Sequence, residues 1–193
     1  MCSSDLKGKR VVITGAASGI GKSLAVAFHS ACAGAVLVSD INEAGVQTVA
    51  AEIKSKGIVT DVTNEEDIIR LVKESNDHGG GIDIFCSNVG IGVYEDFLKI
   101  TNTEWRKMLD TNLMSHIYVV RHVLPQMLER GSGYLIFTSS AAGLLSQLGS
   151  VTYSVTKHAV VSLAEWLKIT YGKMGIGVSC VDRNSTRLNS SHW

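Results

Sequence analysis

The chain has 193 residues, of which 45% are hydrophobic and 19% are charged, and its 18 basic residues balance its 18 acidic ones. This length predicts one domain with a sizeable core, and the zero net charge argues against a nucleic-acid partner. The polar N-terminus predicts no secretory signal, and no apolar run reaches the roughly 18 residues of a membrane helix, so we expect a cytoplasmic protein with no membrane span.

Apolar runs alternate with helical segments along the chain. In chain order the prediction is strand 10–14, helix 19–31, strand 35–39, helix 43–56, strand 58–62, helix 64–76, strand 83–87, helix 103–130, strand 134–138, helix 151–172 and strand 177–181. Gly57 is expected to stop the second helix, and Pro125 to kink or shorten the fourth. Because the strands are continuous apolar runs, we predict a parallel sheet covered on both faces: a doubly wound, Rossmann-like α/β fold of three layers.

A glycine-rich turn joins the first strand to the first helix. It runs from Thr14 to Gly21, with glycines at positions 15, 19 and 21. A tight turn, a close backbone approach and a close helix packing are what a dinucleotide pyrophosphate needs at a helix N-terminus. Thr14 and Ser18 add hydroxyl groups. The alternative is that the three glycines serve only a tight turn.

Asp40 closes the second strand, about 20 residues after the last of these glycines. A carboxylate at this place accepts hydrogen bonds from both ribose hydroxyls and repels a 2′-phosphate. The neighbours Ser39 and Ile41 supply no cation. The sequence therefore favours NAD over NADP, and the alternative for Asp40 is a helix cap or a solvated loop acid.

A second group of polar residues lies in the last third of the chain. Tyr153 and Lys157 are four residues apart in a predicted helix and share one face, and Ser140 lies thirteen residues before Tyr153. A tyrosine ordinarily loses its proton near pH 10, and a close cation in a water-poor cleft stabilises the phenolate by roughly 4 kcal/mol. The pattern favours a proton-transferring tyrosine. Taken singly, Tyr153 is more often a packed aromatic, Lys157 a solvated lysine and Ser140, or Ser139 beside it, a loop cap.

The order and spacing of these motifs resemble the short-chain dehydrogenase/reductase family in its single-domain form. The resemblance runs over residues 6–181 and rests on the Gly-x-x-x-Gly-x-Gly and Tyr-x-x-x-Lys spacings. Asp61-Val62 resembles the family's adenine-pocket dipeptide. The segment from Ser87 to Gly90 resembles its Asn-Asn-Ala-Gly motif with two residues altered, and Asn112 resembles its catalytic asparagine.

The resemblance implies an NAD-dependent oxidoreductase that transfers a hydride between the nicotinamide and a secondary alcohol or ketone. It implies Tyr153 as general acid/base and Lys157 as the partner of phenolate and ribose. Ser140 would hold the substrate oxygen. Asn112 would hold a water, although such an asparagine alone more often satisfies backbone groups. The implied cofactor-binding residues are Thr14, Gly15, Ser18, Gly19, Ile20, Gly21, Asp40, Asp61, Val62, Asn88, Gly90, Tyr153 and Lys157.

The end of the chain departs from the family. Relatives continue past the sixth strand with a substrate lid and a seventh strand, whereas residues 183–193 here are polar and aperiodic. We expect residues 1–182 to form an NAD-binding domain that lacks the last strand of the family, and residues 183–193 to be a disordered or foreign tail. The alternative function is therefore a catalytically silent, truncated nucleotide-binding protein, and the homo-oligomer usual in the family becomes doubtful.

The sequence gives less information about other ligands. Leu144, Leu145 and Leu148 make residues 141–149 an apolar loop, which favours an apolar alcohol or ketone as the small-molecule partner, and residues 90–97 are expected to form another part of its pocket. The six histidines have no metal-ligand spacing, so no metal site is predicted. The four cysteines are widely spaced, and we expect them to be reduced.

Overall fold

A computed structural model of the protein describes residues 5–92 and 96–182. The strands of its single parallel sheet are β1 Arg10–Thr14, β2 Ala35–Asp40, β3 Gly57–Val59, β4 Ile84–Ser87, β5 Gly133–Ser139 and β6 Ile176–Asp182. The α-helices in these ranges are α1 Gly19–Ser30, α2 Glu43–Glu52, α3 Glu65–Gly79, α4 Asn102–Leu109, α5 Ser115–Arg130 and α6 Val151–Tyr171. The strand order is β3-β2-β1-β4-β5-β6, so the predicted doubly wound α/β fold is confirmed.

Alternate side chains of the strands enter two cores, one on each face of the sheet. Val12 and Phe85 belong to the core that includes side chains from α3, α5 and α6. Val11 and Ile13 belong to the core that includes side chains from α1 and α2. Helices therefore cover both faces, and this is why the strands are apolar on both sides instead of alternating with polar residues.

The strand order reverses between β1 and β4, which lie side by side in the sheet. From β1 the chain proceeds outwards to β3, and it then returns to β4 and proceeds outwards to β6 in the opposite direction. The connections that leave β1 and β4 therefore diverge, and a crevice opens at the carboxyl ends of the two strands. Thr14 ends β1 and Ser87 ends β4, so the glycine turn and the segment after Ser87 meet at this crevice.

The predicted end of the second helix was wrong. Helix α2 ends at Glu52, and Gly57 is the first residue of β3. Lys54 takes the left-handed conformation, with φ at +51°, and the amides of Lys54 and Ser55 donate to the carbonyls of Ala51 and Ala50. This is the hydrogen-bond pattern that normally places a glycine after a helix, and here a lysine occupies that position.

The predicted long fourth helix is divided, but not at its proline. A π-helical turn, Asp110–Met114, separates α4 from α5. Pro125 lies inside α5, which continues to Arg130, so the predicted shortening at the proline was wrong. The irregularity lies instead in the turn that carries Asn112.

Other predictions about the chain have mixed outcomes. Cys86 and Cys180 are free thiols as expected, whereas Cys32 is disulfide-bonded, so the prediction of reduced cysteines was wrong for that residue. None of the helices within residues 5–92 and 96–182 has the length and apolar character needed to cross a bilayer. The proposed tail, residues 183–193, and positions 93–95 of the expected substrate pocket lie outside the described residues.

Candidate active site

A crevice of about 610 Å³ opens at the carboxyl ends of the central strands. Its wall combines the glycine turn, the end of β2, the segment that follows β4, the end of β5 and one face of α6. The lining residues are Gly15, Ser18, Gly19, Ile20, Asp40, Asn88, Val89, Gly90, Ile91, Thr138, Ser139, Tyr153 and Lys157. The fold thus brings most of the predicted cofactor-binding residues together with Tyr153 and Lys157.

The glycine turn has the backbone shape of a phosphate cradle. Gly19 lies in the left-handed region, with φ at +54°, and a Cβ at Gly21 would overlap the carbonyl oxygen of Gly15. Ser18 is the extended N-cap of α1, and its hydroxyl makes no capping bond. Because the helical hydrogen bonds begin with Lys22 N–H donating to the Ser18 carbonyl, the preceding amides are not used by the helix. They are the donors that an anion takes at a helix N-terminus.

Asp40 is held at the crevice by backbone donors on both sides. Its Oδ2 accepts from the Ala17 amide at 3.0 Å, and its Oδ1 accepts from the Asn42 amide at 2.9 Å. Asn42, not Asp40, is the N-cap of α2. The carboxylate is therefore fixed between the glycine turn and α2, and the helix-cap alternative for Asp40 does not apply.

Asn88 connects three elements that meet beneath the crevice. Its Nδ2 donates to the carbonyl oxygens of Thr14 and Gly15, at 3.2 and 3.3 Å, and its Oδ1 accepts from Thr138 Oγ1 at 2.8 Å. Its own amide donates to the Thr14 hydroxyl at 3.1 Å. Thr14 is buried, so its hydroxyl serves these strand contacts. Asn88 and Thr14 thus set the distance between the glycine turn and β5.

Tyr153 and Lys157 lie one turn apart on α6, and both are buried. Lys157 Nζ donates to the Thr138 carbonyl at 2.8 Å and lies 5.7 Å from the centroid of the Tyr153 ring. Only 2% of Lys157 is exposed, so the solvated-lysine alternative does not apply. The cation is within reach of a cation–π contact with the Tyr153 ring, and solvent screens it little because both side chains are buried.

Ser140 and Ser139 occupy different places after β5. Ser140 caps a short turn, with its Oγ accepting from the Ala142 amide at 3.2 Å. The capping alternative is therefore observed, although this bond leaves the hydroxyl hydrogen of Ser140 unused because Oγ is the acceptor. Ser139 lines the crevice, and its hydroxyl donates to the Lys157 carbonyl at 3.3 Å.

Asn112 lies in the π-helical turn and is completely buried. Its Oδ1 accepts from the Ile91 amide at 2.8 Å, and its Nδ2 donates to the Ile91 carbonyl at 2.8 Å and to Thr156 Oγ1 at 3.1 Å. The side chain therefore satisfies backbone groups, as the alternative for this residue anticipated. These bonds to a neighbouring segment coincide with the π turn, and π turns are frequent at functional sites.

The predicted adenine-pocket dipeptide does not line the crevice. Asp61 Oδ1 accepts from the amide and the hydroxyl of Thr63, at 2.9 and 2.7 Å, and Val62 is buried in one of the two cores. Both residues thus organise the entry to α3. Their contact with an adenine remains a prediction.

His116 belongs to none of the sequence motifs, and it lies buried one turn after Asn112. Its Nδ1 lies 2.6 Å from Ser87 Oγ, and its ring meets Phe137 edge-on, with 5.6 Å between the centroids. Burial, and secondarily the positive charge of Lys157, lower the pKa of His116 from 6.5 to about 3. The four-residue spacing from Asn112 is the signal that could have identified it, because residues so spaced share a helix face.

This depressed pKa predicts a specific loss of stability in mild acid. Below pH 6.5 the unfolded chain binds a proton at His116 that the folded chain does not bind. Keeping His116 neutral therefore contributes to the free energy of unfolding, and this contribution is complete above pH 6.5. It decreases as the pH falls, by about 2 kcal/mol at pH 5. Urea unfolding at pH 7 and pH 5 measures it. From pH 7 to pH 5, the free energy of unfolding should fall by about 2 kcal/mol more in the wild type than in His116→Asn. Equal decreases in the two proteins would contradict the prediction.

Comparisons with known proteins add to this geometry. The model of the short chain dehydrogenase family matches residues 9–187. The uncharacterized oxidoreductase MW2403 of Staphylococcus aureus (strain MW2) is 35% identical over 179 residues, which are 91% of this chain and 77% of that protein. The 1-deoxy-11-beta-hydroxypentalenate dehydrogenase of Streptomyces exfoliatus is 32% identical over 193 residues, covering 95% of this chain and 70% of that protein.

A solved structure has the same fold. The crystal structure of a short chain dehydrogenase/reductase from Burkholderia phymatum in complex with NAD is similar with a TM-score of 0.88 and 28% identity, covering 92% of this chain and 66% of that one. The residues matched by the family model, 9–187, include the entire wall of the crevice.

Proposed function

Because the chain belongs to the short-chain dehydrogenase/reductase family of oxidoreductases, we propose that it transfers a hydride between NAD and a secondary alcohol or ketone. One observation carries the proposal: Tyr153 and the buried cation of Lys157 share a crevice with the glycine turn and Asp40. A dinucleotide site and a proton-transfer site are thereby joined in one cavity.

The residues of the crevice fit a nicotinamide dinucleotide. A Cβ at Gly21 would close the turn that the pyrophosphate needs, and the first amides of α1 are available as donors. The Asp40 carboxylate is fixed by two amides where a ribose would lie, and Lys157 Nζ lies 5.7 Å from the centroid of the Tyr153 ring at another part of the wall. When bound, the nicotinamide supplies the hydride acceptor for oxidation and the hydride donor for reduction.

The proton steps belong to the side chains of the chain itself. In the direction of oxidation, the Tyr153 phenolate takes the proton from the hydroxyl oxygen of the alcohol. The carbon that bears this oxygen gives its hydride to the oxidised cofactor and becomes the carbonyl carbon of the ketone. Lys157 stabilises the phenolate by its charge. The hydroxyl hydrogen of Ser140 is available to bind the substrate oxygen and hold it near Tyr153. Asn112 contributes by holding Ile91 at the crevice wall.

Asp40 leads us to propose NAD, not NADP, as the cofactor. The Asp40 carboxylate would discriminate against NADPH by repelling its 2′-phosphate. Asp40→Ala should therefore reduce the preference for NADH over NADPH. We expect the wild type to bind NADH at least about tenfold more tightly than NADPH, and Asp40→Ala to reduce the ratio to about threefold or less. Dissociation constants from nucleotide fluorescence measure this. Asp40→Asn keeps acceptor oxygen for the Ala17 amide, so it separates loss of charge from loss of the turn. Tighter NADPH binding by the wild type would contradict the proposal.

The surroundings of the crevice support an apolar substrate. Leu144, Leu145 and Leu148 follow the turn capped by Ser140. Their exposed fractions are 67%, 71% and 90%, respectively. Several exposed leucines within five residues expose more apolar surface than scattered single residues do, and such surface often marks a ligand-binding site. We propose that they contact the apolar part of the alcohol or ketone.

Turnover is the direct test of the proposed function. The wild-type chain is incubated with NAD and a series of secondary alcohols of increasing apolar length, and NADH formation is followed by absorbance. We expect kcat/KM to increase with chain length over the series. NADH binding without turnover of any alcohol, or of the matching ketones with NADH, would favour the catalytically silent alternative.

A further inference from the structure

The segment Ser87–Ile91, here called the crevice strap, separates the cofactor crevice from α5. Four of its residues line the crevice: Asn88, Val89, Gly90 and Ile91. The strap also packs closely against Lys157, because a Cβ at Gly90 would lie 2.9 Å from Lys157 Nζ. A small displacement of the strap therefore changes both the shape of the crevice and the surroundings of the cation.

Two contacts tie the ends of the strap to the helical segment behind it. At one end, the Ile91 amide and carbonyl both bond to the Asn112 side chain at 2.8 Å. At the other end, Ser87 Oγ lies 2.6 Å from His116 Nδ1. Residues 87 and 91 thus face residues 116 and 112 in antiparallel order, so His116 and Asn112 secure opposite ends of one segment.

The tie between Ser87 and His116 is fully enclosed. His116 has no exposed surface and Ser87 is 3% exposed, and Nε2 of His116 has no partner among the described residues. A buried polar atom without a partner is costly. An apolar ring would avoid this cost and would still pack its edge against Phe137. The imidazole is therefore better explained by its bond to Ser87 than by packing.

We propose that His116 is a positioning residue, which acts through Ser87 to hold the crevice strap in the geometry that receives the dinucleotide. The cofactor part of this inference rests on the proposed function. The positional part concerns the ligand-free chain, where the Asn88 amide bonds to Thr14 Oγ1 and the Ile91 amide bonds to Asn112 Oδ1. These two amides report directly on the position of the strap.

Two substitutions separate the hydrogen bond from the packing. His116→Phe keeps a ring against Phe137 but removes the atom that bonds to Ser87. His116→Asn removes the ring but keeps a polar atom two bonds beyond Cβ, as Nδ1 is. If His116 positions the strap, His116→Phe should be the more damaging change and His116→Asn should restore most of the function. If the ring only fills space, the order is reversed.

Amide hydrogen exchange on the ligand-free chain is the first measurement. We expect exchange at Asn88 and Ile91 to accelerate about tenfold in His116→Phe and Ser87→Ala, and less than about threefold in His116→Asn, relative to the Val12 amide in β1. The double variant of His116→Phe and Ser87→Ala should be no worse than either single variant, because both remove one bond. Unchanged exchange in His116→Phe, or faster exchange in His116→Asn than in His116→Phe, overturns the proposal.

The dissociation constant of NADH is the second measurement. It should rise about tenfold in His116→Phe and about threefold or less in His116→Asn. A wild type that binds no NADH would overturn the proposed function, while the exchange measurement would still decide whether His116 holds the strap. Accelerated exchange with an unchanged NADH constant would overturn the link between the strap and the cofactor.

Discussion

Tyr153→Phe is expected to lower kcat by about 10²–10⁴-fold, because it removes the hydroxyl that we propose exchanges the substrate proton and changes little else. Phenylalanine fits the same buried space on α6, and Lys157 keeps its bond to the Thr138 carbonyl. The NADH dissociation constant should therefore change by less than about twofold. Steady-state turnover and nucleotide fluorescence on the same preparation separate the two effects.

Tyr134→Phe is the matched control for this experiment. Tyr134 lies near the start of β5, at the other end of the strand from the crevice, and its hydroxyl lies 2.6 Å from Ser179 Oγ. The change removes one tyrosine hydroxyl without touching the crevice, so kcat should stay within about twofold of the wild type. Near-normal turnover in Tyr153→Phe would refute the assignment of the general acid/base.

The course of the chain was largely predictable because its signals are local. The apolar strand at Arg10–Thr14 begins and ends as predicted, and the glycine turn begins α1 at Gly19. Asn64, the first residue of the predicted helix 64–76, caps α3, and its Oδ1 accepts from the Glu66 amide at 3.1 Å. Such signals depend on a residue and its near neighbours, so a sequence pattern contains them in full.

The wrong predictions concern features that depend on distant contacts or on an unusual residue. The π turn at Asp110–Met114 accompanies the bonds of Asn112 to Ile91 and Thr156, which no local pattern encodes. The end of α2 was misplaced because a lysine at position 54 adopts the conformation usually reserved for glycine.

Within the site, the predicted residues that line the crevice come from the ends of strands, from the loops after them and from α6, whereas the contact between Ser87 and His116 behind the crevice was not predicted. Asp40, Asn88 and Tyr153 all reach the crevice wall. Thr138 and Ser139 also line it, and the same rule about strand ends could have found them. The pairing of Ser87 with His116 joins residues 29 positions apart in sequence, and only the packing of α5 on β4 reveals it.

Replacing Lys157 is expected to lower both turnover and NADH affinity, whereas replacing Tyr153 is expected to lower turnover alone. Lys157 Nζ lies 5.7 Å from the centroid of the Tyr153 ring, and two opposite unit charges at about this distance attract each other by roughly 3 kcal/mol at an effective dielectric constant of about 20. Lys157→Met keeps the aliphatic length but removes the charge, so kcat should fall about 10²-fold. The Thr138 carbonyl loses its donor, as would the ribose of the proposed cofactor, so the NADH dissociation constant should rise about tenfold.

Lys168→Met on the same helix is the control, because that lysine lies in the last turn of α6, well away from Tyr153. Its turnover and NADH affinity should stay within about twofold of the wild type. Thermal unfolding of both variants shows whether the loss in Lys157→Met comes from the site or from the fold. A Lys157→Met protein that loses turnover but keeps its NADH affinity would restrict Lys157 to the phenolate. A Lys157→Met protein that keeps both turnover and NADH affinity would show that the cation has no part in the chemistry, and that proton transfer depends on Tyr153 without it.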